Sequence, residues 1–202
     1  DYMNDNKFYK YEYVKKMLES EISIILHEFE RKHGYLPVEH VKSRLKTEKS
    51  IKNKLDKKGI KYTYKNATKY IDDILGIRIV VSFISDVYDI VSEITKSKLI
   101  IVKERRDYIK EPKTSGYTSY HLKVLVPIIL DEKEEYIPAE IQLRTIAMDF
   151  WASLDHKIRY KFKEDIPEDV QKEMYDYSHD IRKLDQRMYE LNKIMNKYDK
   201  NV

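Results

Sequence analysis

The seventeen residues from Arg105 to His121 carry an unusual density of side chains that could bind a nucleotide. Seven of them could contact a phosphate or a base: Arg105, Arg106, Lys110, Lys113, Tyr117, Tyr120 and His121. Lysine and arginine bind phosphate through their charge, whereas tyrosine offers a flat face on which a base can stack. Gly116, one of four glycines in the chain, would let the backbone approach a ligand closely. The segment is therefore a candidate nucleotide loop, although a solvated surface loop can have the same composition.

A second group of charges lies toward the N-terminus, between Lys42 and Lys65. This segment holds ten lysines and arginines, diluted only by Glu48 and Asp56. Such a run is often a solvated helix face, but it could also collect around the phosphates of a triphosphate. Because RNA carries the same phosphate charge, the run and the tyrosine-rich loop also permit a non-catalytic RNA-binding module.

Two carboxylates from separate parts of the chain could share a metal ion. Asp73 stands at the entrance of an apolar stretch, and Glu140 shares one face of a later stretch with Gln142 and Arg144. Ionised carboxylates about 4 Å apart repel by roughly 4 kcal/mol at an effective dielectric constant of about 20, so they need a cation between them. Mg²⁺ usually takes one or two carboxylates together with substrate phosphates. The residues therefore permit a magnesium–nucleotide site.

One charged residue interrupts an apolar strand directly after this carboxylate. Arg78 lies between Ile77 and Ile79, where a charge is costly unless it meets a ligand or a carboxylate. Gly76 beside it would permit close approach of a ligand. The chain has no G-x-x-x-x-G-K-[ST] sequence, so a nucleotide site here would not be a P-loop.

The elements that must position these residues follow from the periodicity of the apolar side chains. Predicted helices cover residues 7–33, 66–72, 85–96 and 145–162, and a long final helix begins at residue 167. Predicted strands cover residues 73–83, 99–103, 120–129 and 137–144, and the basic segment adds a short strand or turn. Because helices and short strands interleave, we expect an α/β (α+β) fold with a mixed sheet of about five strands flanked by helices.

The final helix carries an apolar heptad repeat. Its apolar residues alternate spacings of four and three over four repeats: Val170, Met174, Tyr177, Ile181, Leu184, Met188, Leu191, Met195 and Tyr198. A seam of this kind needs a partner helix, which could be the N-terminal helix or a helix of another subunit. We therefore expect self-association.

The composition of the whole chain limits the classes of partner. Its 202 residues include 39 basic and 35 acidic side chains, for a net charge of +4. This mild excess suits a small anionic ligand better than DNA, whose binding domains are more strongly basic. The absence of cysteine excludes disulfides and thiolate metal sites. With no apolar run of about 18 residues and no visible signal peptide, we expect a cytoplasmic protein that does not enter a membrane.

Four stretches of the sequence, taken in order, resemble the synthetase domain of RelA/SpoT-type alarmone synthetases. They are R-L-K-T-E-K-S-I-K-N-K (44–54), D-I-L-G-I-R (73–78), R-D-Y-I-K-E-P-K-T-S-G-Y-T-S-Y-H (106–121) and E-I-Q-L-R-T-I-A-M-D-F-W-A (140–152). The similarity covers about residues 38–162, and the short chain is most similar to the small, stand-alone members. The resemblance implies a nucleotidyltransferase-like sheet and the activity of a GTP pyrophosphokinase of the stringent response. The β,γ-pyrophosphate of ATP would move to the 3′-OH of GDP or GTP, giving ppGpp or pppGpp and AMP.

The resemblance also implies which residues bind ATP and Mg²⁺. The residues that match the ATP side are Arg44, Lys46, Ser50, Lys54 and Arg78. The two arginines match the pair that sandwiches the adenine, and the other three match the phosphate side. Asp73 and Glu140 match the catalytic magnesium ligands, and Glu140 also matches the residue that positions or deprotonates the 3′-OH.

A third set of residues matches the acceptor side of the family's site. It consists of Arg106, Lys113, Tyr117, His121, Gln142 and Asp149. The resemblance implies that Arg106, Lys113 and His121 contact the 5′ phosphates of GDP or GTP. It also implies that Tyr117 supports the guanine and that Gln142 has a weaker, supporting role. Some relatives have Asn where Asp149 stands, and many have Arg or Gln in place of Thr118. The preference between GDP and GTP therefore stays open.

The resemblance further divides the chain into an N-terminal helix (1–36), a catalytic domain (37–163) and a C-terminal heptad helix (164–202) that would join a homotetramer. His179-Asp180 spells the dipeptide of the family's hydrolase domain but lies on the final helix, so we expect no hydrolase activity. Two alternatives to the pyrophosphokinase remain. One is another nucleotidyltransferase of the same fold, which would release pyrophosphate, and the other is the RNA-binding module.

Overall fold

The computed structural model describes residues 8–199 as six helices and one sheet of five strands. The helices are α1 (Tyr9–His33), α2 (Glu48–Asp56), α3 (Tyr64–Tyr70), α4 (Ile84–Lys96), α5 (Ile146–Lys161) and α6 (Glu168–Asp199). The strands are β1 (Val38–Leu45), β2 (Leu75–Val81), β3 (Ile101–Asp107), β4 (Tyr120–Leu130) and β5 (Lys133–Thr145). The predicted α+β fold, with five strands flanked by helices, is confirmed.

The sheet is mixed because β2 and β5 are parallel and the other neighbouring strands are antiparallel. Its strands follow the order β1-β2-β5-β4-β3, and β2 runs parallel to β5. Arg78 of β2 lies beside Gln142 of β5, which lies beside His121 of β4. Since paired residues point to the same side of a sheet, this register brings three of the predicted site residues into one row.

The opposite side of the sheet packs against α1 and α4 to form the hydrophobic core. Every second residue of β4 from Tyr120 to Ile128 is buried. The apolar residues that recur along α1 at spacings of three and four join the same core cluster, among them Leu18 and Ile22. Gly34 ends this helix with φ at 76°, and its N–H donates to the carbonyl of Glu30. The periodic apolar pattern thus leaves one side of the sheet to polar residues.

The strand β3 is longer than its sequence pattern predicted. It runs to Asp107 instead of ending at residue 103, so Arg105 and Arg106 belong to a strand and the loop itself comprises residues 108–119. β3 is an edge strand paired only with β4, and most of its side chains are exposed or half-buried. Because an edge strand can carry charges on either face, it lacks the apolar alternation that reveals a strand.

The final helix α6 packs against α5 and α4 through a narrow stripe. Its buried residues are Met174, Ser178 and Asp185. The Trp151 indole of α5 donates to the carbonyl of Met174 at 2.8 Å. Most of the predicted heptad seam faces outward, with exposed side chains at Tyr177, Leu184, Met188, Leu191, Met195 and Tyr198. Within residues 8–199, no helix combines the length and the apolar character that crossing a membrane requires.

Candidate active site

The polar side of the sheet forms the floor of a cavity of about 920 Å³ bordered by β1, β2, β5 and α5. Six of the predicted site residues line it: Arg44, Asp73, Arg78, Tyr117, Glu140 and Gln142. The volume lies within the usual range of ligand pockets, about 300–1,000 Å³. The structure therefore brings residues from four separate sequence motifs to one cavity.

The remaining predicted residues surround this lining. Five of them contact lining residues directly: Lys46, Lys54, Lys113, His121 and Asp149. Ser50 is exposed in the first turn of α2, where its N–H donates to the capping Oγ1 of Thr47. Arg106 lies on β3, and its Nε donates to Glu104 at 2.5 Å.

Asp73 is held between two lysines at the end of the cavity nearest α2. Lys46 Nζ lies 2.9 Å and Lys54 Nζ 2.8 Å from its two carboxylate oxygens. Thr47 caps α2 and thereby directs Lys54 toward Asp73 from the second turn of the helix. Burial would raise the pKa of Asp73, but the two lysines outweigh burial and hold the pKa below its usual value. The carboxylate is therefore ionised and already neutralised in the absence of a ligand.

Two arginines project from neighbouring strands beside this carboxylate. Arg44 of β1 pairs with Gly76 of β2, two residues before Arg78. Both arginine side chains line the cavity. Arg78 Nε lies 3.5 Å from the Asp149 carboxylate of α5. This negative charge offsets part of the free-energy cost of placing an arginine in an apolar strand.

The loop of residues 108–119 folds into a tight turn that presents Tyr117. The Lys113 N–H donates to the Tyr117 carbonyl at 3.0 Å, and the Gly116 N–H donates to the Lys113 carbonyl at 2.9 Å. Gly116 has φ at 95°, a conformation that side-chain-bearing residues rarely adopt. Lys113 Nζ lies 5.1 Å from the centre of the Tyr117 ring. The turn thus combines a flat aromatic surface with a positive charge.

Tyr117, His121, Glu140, Gln142 and Arg144 form a closed ring of contacts on the cavity wall. Tyr117 Oη lies 2.9 Å from His121 Nε2, and His121 Nδ1 lies 3.6 Å from Glu140 Oε1. Gln142 Nε2 donates to the same Oε1 at 2.7 Å. Arg144 Nη2 donates to Gln142 Oε1 at 2.7 Å and to Tyr117 Oη at 3.0 Å.

Burial, together with nearby positive charges, keeps the histidine of this ring neutral. Burial, followed by the positive charges of Lys113 and Arg144, lowers the pKa of His121 to about 3. Burial also raises the pKa of Tyr117, so its phenol keeps its proton at neutral pH. His121 therefore acts in the ligand-free chain as a neutral hydrogen-bonding group.

Arg144 is a buried cavity residue to which the sequence pattern assigned no role. Its side chain is only 5% exposed, and its Nη1 lies 3.4 Å from the Asp149 carboxylate. The alternation of Glu140, Gln142 and Arg144 along β5 was the signal that could have identified it. That alternation was equally compatible with a solvated edge strand, which left the residue unassigned.

Asp73 and Glu140 reach the cavity from neighbouring strands and could share a cation. Glu140 pairs with Gly76, and Asp73 lies two residues before the start of β2. In the described part of the chain, no group of three or more His, Asp or Glu residues is arranged to hold a metal. Two carboxylates completed by substrate phosphates are a usual donor set for Mg²⁺, so these residues fit an ion that binds together with a nucleotide.

Comparison of the sequence with known protein families identifies the family of this chain. Residues 43–165 match the sequence model of a protein family described as the region found in RelA / SpoT proteins. The chain belongs to the RelA/SpoT family. The matched region contains all four motifs, from the lysine segment to the start of α5. The family membership predicted from those motifs is confirmed.

Individual members of the RelA/SpoT family are similar over nearly the whole chain. GTP pyrophosphokinase YwaC of Bacillus subtilis is 42% identical over 188 residues, which cover 93% of this chain and 90% of the relative. The crystal structure of small alarmone synthetase 2 from Bacillus subtilis superposes with a TM-score of 0.83 at 41% identity, covering 93% of this chain and 97% of that one. Sequence and fold therefore both place the chain among the small synthetases.

Nucleotide complexes are known for a further member, small alarmone synthetase 1 from Bacillus subtilis. Its structure bound to its product pppGpp has a TM-score of 0.84 at 33% identity and covers 94% of this chain and 96% of that one. Its structure bound to AMPCPP has a TM-score of 0.79 at 29% identity, covering 96% and 97%. The fold described here is thus one that holds both a guanosine and an adenosine nucleotide in a relative.

Proposed function

We propose that this chain is a GTP pyrophosphokinase that makes ppGpp from ATP and GDP, or pppGpp from ATP and GTP. The observation that carries the proposal is a single cavity lined by the lysine-flanked Asp73, just before β2, and by the hydrogen-bonded Glu140 of the neighbouring strand β5. In the reaction, the 3′ oxygen of the acceptor attacks the β-phosphorus of ATP. The bond from that phosphorus to the α,β-bridging oxygen breaks, AMP leaves, and the 3′-OH proton passes to Glu140.

The donor side is proposed to bind ATP through charge and stacking. Arg44 and Arg78 line the cavity from adjacent strands and would hold the adenine between their guanidinium planes. Lys46, Lys54 and Ser50 would hold the triphosphate, which carries about four negative charges. AMPCPP, bound by the relative, has the skeleton of ATP with a methylene group between the α- and β-phosphorus atoms. Catalysis would then come mostly from alignment and charge stabilisation.

The acceptor side is proposed to bind GDP or GTP at the loop of residues 108–119. Tyr117 would stack on the guanine, with Gln142 and Asp149 nearby on the same wall. Lys113, His121 and Arg106 would face the 5′ phosphates. Because His121 is neutral in the free chain, Lys113 and Arg106 would supply the positive charge that the 5′ phosphates need.

Asp73 and Glu140 would hold Mg²⁺, which supplies charge neutralisation at the transferring phosphates when it is bound. In the free chain Lys46 and Lys54 occupy the Asp73 carboxylate. A triphosphate offers both lysines an alternative anion, so the carboxylate becomes available as the nucleotide binds. Titration with Mn²⁺ followed by electron paramagnetic resonance should therefore detect tight metal binding with AMPCPP present and only weak binding without it.

The activity itself is tested by incubating the chain with ATP, Mg²⁺ and one of GMP, GDP or GTP, and separating the nucleotides. The proposal expects AMP and a 3′-pyrophosphorylated guanosine nucleotide in equal amounts. Absence of both products with every acceptor would contradict it. Release of inorganic pyrophosphate in place of AMP would instead indicate another nucleotidyltransferase.

We also propose that the chain works as a homo-oligomer, with a tetramer expected from the family resemblance. The exposed apolar residues of α6 support this proposal, because soluble monomers rarely leave such a continuous row in water. A cytoplasmic location, where ATP and GTP are abundant, stays a prediction.

A further inference from the structure

The ring of contacts around Glu140 includes one group, the Arg144 guanidinium, that can only donate hydrogen bonds. A guanidinium group can only donate, so Arg144 must donate to both Tyr117 Oη and Gln142 Oε1. The phenol proton of Tyr117 is then free to point at His121 Nε2, 2.9 Å away. A histidine that accepts at Nε2 carries its proton on Nδ1, the atom that faces Glu140 at 3.6 Å.

The second route from Arg144 ends at the same oxygen. Because Arg144 occupies the carbonyl oxygen of Gln142, the amide NH₂ of that residue must point to Glu140 Oε1, which it reaches at 2.7 Å. Gln142 therefore delivers a hydrogen bond to Oε1, whereas the His121 ring faces this oxygen at 3.6 Å without a hydrogen bond. The other oxygen of Glu140, Oε2, is the one left to face a substrate hydroxyl.

We infer that Arg144 is a positioning residue that orients Glu140 and links it to the tyrosine that carries the guanine. The inference rests on the proposed function, in which Glu140 receives the 3′-OH proton. A shift of the guanine platform would be passed from Tyr117 through Arg144 and Gln142 to the carboxylate. Correct binding of the acceptor would then align Glu140 for proton transfer. Orientation of a catalytic group to within a fraction of an ångström is worth about 10²-fold in rate.

The burial of Arg144 supports this role. The residue is only 4% exposed, and its Nε is buried without a hydrogen-bond partner among the described residues. Within residues 8–199, the carboxylate paired with this guanidinium is that of Asp149, 3.4 Å from Nη1. Burying a guanidinium in this way costs folding free energy. The hydrogen bonds to Tyr117 and Gln142, which hold those side chains in place, account for a buried arginine at this position.

Steady-state kinetics of Arg144→Lys and Tyr117→Phe test the inference. Lysine keeps the charge but cannot reach both acceptors with one planar group, and phenylalanine keeps the stacking ring but removes the hydroxyl. We expect kcat to fall about 100-fold in Arg144→Lys and about tenfold in Tyr117→Phe, with the acceptor KM changed much less than kcat. The double variant should lose less than the product of the two factors, because both changes break the same ring. The exposed Arg182→Lys and Tyr160→Phe are matched controls.

The tautomer of His121 gives a second readout that needs no turnover. In the chain labelled with ¹⁵N-histidine, and with the signal assigned by its loss in His121→Asn, we expect the proton on Nδ1 in the wild type. In Tyr117→Phe we expect a mixture of tautomers, since nothing then donates to Nε2. Because the spectrum is recorded without substrate, it remains informative if a variant is inactive or if the proposed reaction fails.

Two results would overturn the inference. One is a wild-type His121 that carries its proton on Nε2. The other is an Arg144→Lys variant with a raised acceptor KM and an unchanged kcat, which would make Arg144 a substrate-binding residue. If the expected tautomer is found but no alarmone is made, the proposed function fails and the ring stands. If alarmone is made but the tautomer is wrong, only the inference about Arg144 fails.

Discussion

Glu140 stands where the two halves of the proposed site meet. On one side it pairs with Gly76 of β2, close to Asp73 and its lysines, and on the other it accepts a hydrogen bond from Gln142. A carboxylate at this place can accept a proton and help to hold a cation. Its neutral amide counterpart can do neither well, although it has nearly the same shape.

We therefore expect Glu140→Gln to lower kcat by about 10²–10⁴-fold, the usual contribution of a general base. AMPCPP should still bind, because the lysines and arginines of the donor side are unchanged. Quenched-flow measurement of AMP formation and calorimetric titration with AMPCPP check the two expectations. Glu134→Gln, an exposed residue on the same strand, serves as the control. Near-normal turnover in Glu140→Gln would show that another group takes the proton.

At the scale of residues, the sequence revealed which side chains gather but not how they bind one another. Asp73, Arg78, Glu140 and Gln142 were predicted to share a site, and all four line the cavity. The contacts of Arg144 with Tyr117 and Gln142 were not predicted. They depend on a loop and a strand meeting in space and on the direction of each hydrogen bond, neither of which leaves a periodic trace in the sequence.

The loop that presents Tyr117 depends on an element that lies far from it in the chain. Gly116 packs against Ser178 of α6, and a Cβ atom added at Gly116 would lie 2.7 Å from the Ser178 Cβ and 3.5 Å from the Trp151 ring. Side chains of α5 and α6 therefore pack against the loop at Gly116. This contact explains why the turn requires glycine for space as well as for its positive φ.

Gly116→Ala should displace the loop and weaken acceptor binding. We expect a raised KM for GDP with unchanged affinity for AMPCPP, and a stability loss of roughly 1–3 kcal/mol from the strained φ. Gly59→Ala is the matched control, because Gly59 also has positive φ but nothing lies within 4 Å of an added Cβ. That control should lose stability without a change in KM. Equal KM effects in both variants would rule out the contact with Ser178 as the cause.

A buried acid joins α6 to the start of α5. Asp185 is 3% exposed and accepts a hydrogen bond from Thr145, whose Oγ1 also caps α5 by accepting from the Met148 N–H. Burial raises the pKa of Asp185 from 3.8 to about 6, while the Thr145 hydroxyl opposes the shift. The folded chain therefore binds this proton more tightly than the unfolded chain. The stabilisation is complete below about pH 4 and is lost as the pH rises through about 6.

Asp185→Asn should remove this pH dependence. At pH 8 we expect the variant to be more stable than the wild type by about 1–3 kcal/mol, since the wild type must keep an ionised carboxylate in an apolar place. At pH 4 the difference should shrink toward zero. Urea unfolding of both chains at the two pH values measures it, with the exposed Asp180→Asn as the control. A difference of the same size at both pH values would contradict the assignment to ionisation.

For the elements, the sequence predicted type and order well and predicted boundaries less well. The strands β2, β4 and β5 carry apolar residues at alternate positions because one face covers the core, so the pattern revealed them. The charged half of β3 was missed because that strand lies at the sheet edge and buries little. Edge position is a property of the assembled sheet, and the local sequence does not encode it.

Over the whole molecule, the heptad pattern of α6 predicted the helix but not the side that packs inside the chain. The buried side contains Met174, Ser178 and Asp185, of which only Met174 belongs to the heptad, whereas the heptad residues Leu184, Met188 and Leu191 are 43%, 43% and 49% exposed. The longest apolar stripe on α6 therefore faces outward. A small, partly polar stripe packs against α4 and α5 instead.

We expect Leu184→Lys combined with Leu191→Lys to dissociate the proposed homo-oligomer. Charges in an apolar seam lose their hydration when the seam closes, which opposes association. Light scattering coupled to gel filtration should show a smaller mass for the variant than for the wild type. Gln186→Lys combined with Asn196→Lys adds the same charge at exposed polar positions of α6 and should leave the mass unchanged. An unchanged mass in the leucine variant would place the subunit contact elsewhere.

The two lysines that flank Asp73 would make the proposed donor site favour a metal ion and a phosphate group that bind together. A bare divalent ion would have to displace two ammonium groups from the carboxylate, and a bare phosphate would have to draw those ammonium groups from a carboxylate they already hold. In the proposed function a magnesium nucleotide would make both exchanges at once, because Asp73 would hold the metal while Lys46 and Lys54 would hold the phosphates. Free inorganic ions would then compete poorly with the intact metal–nucleotide complex.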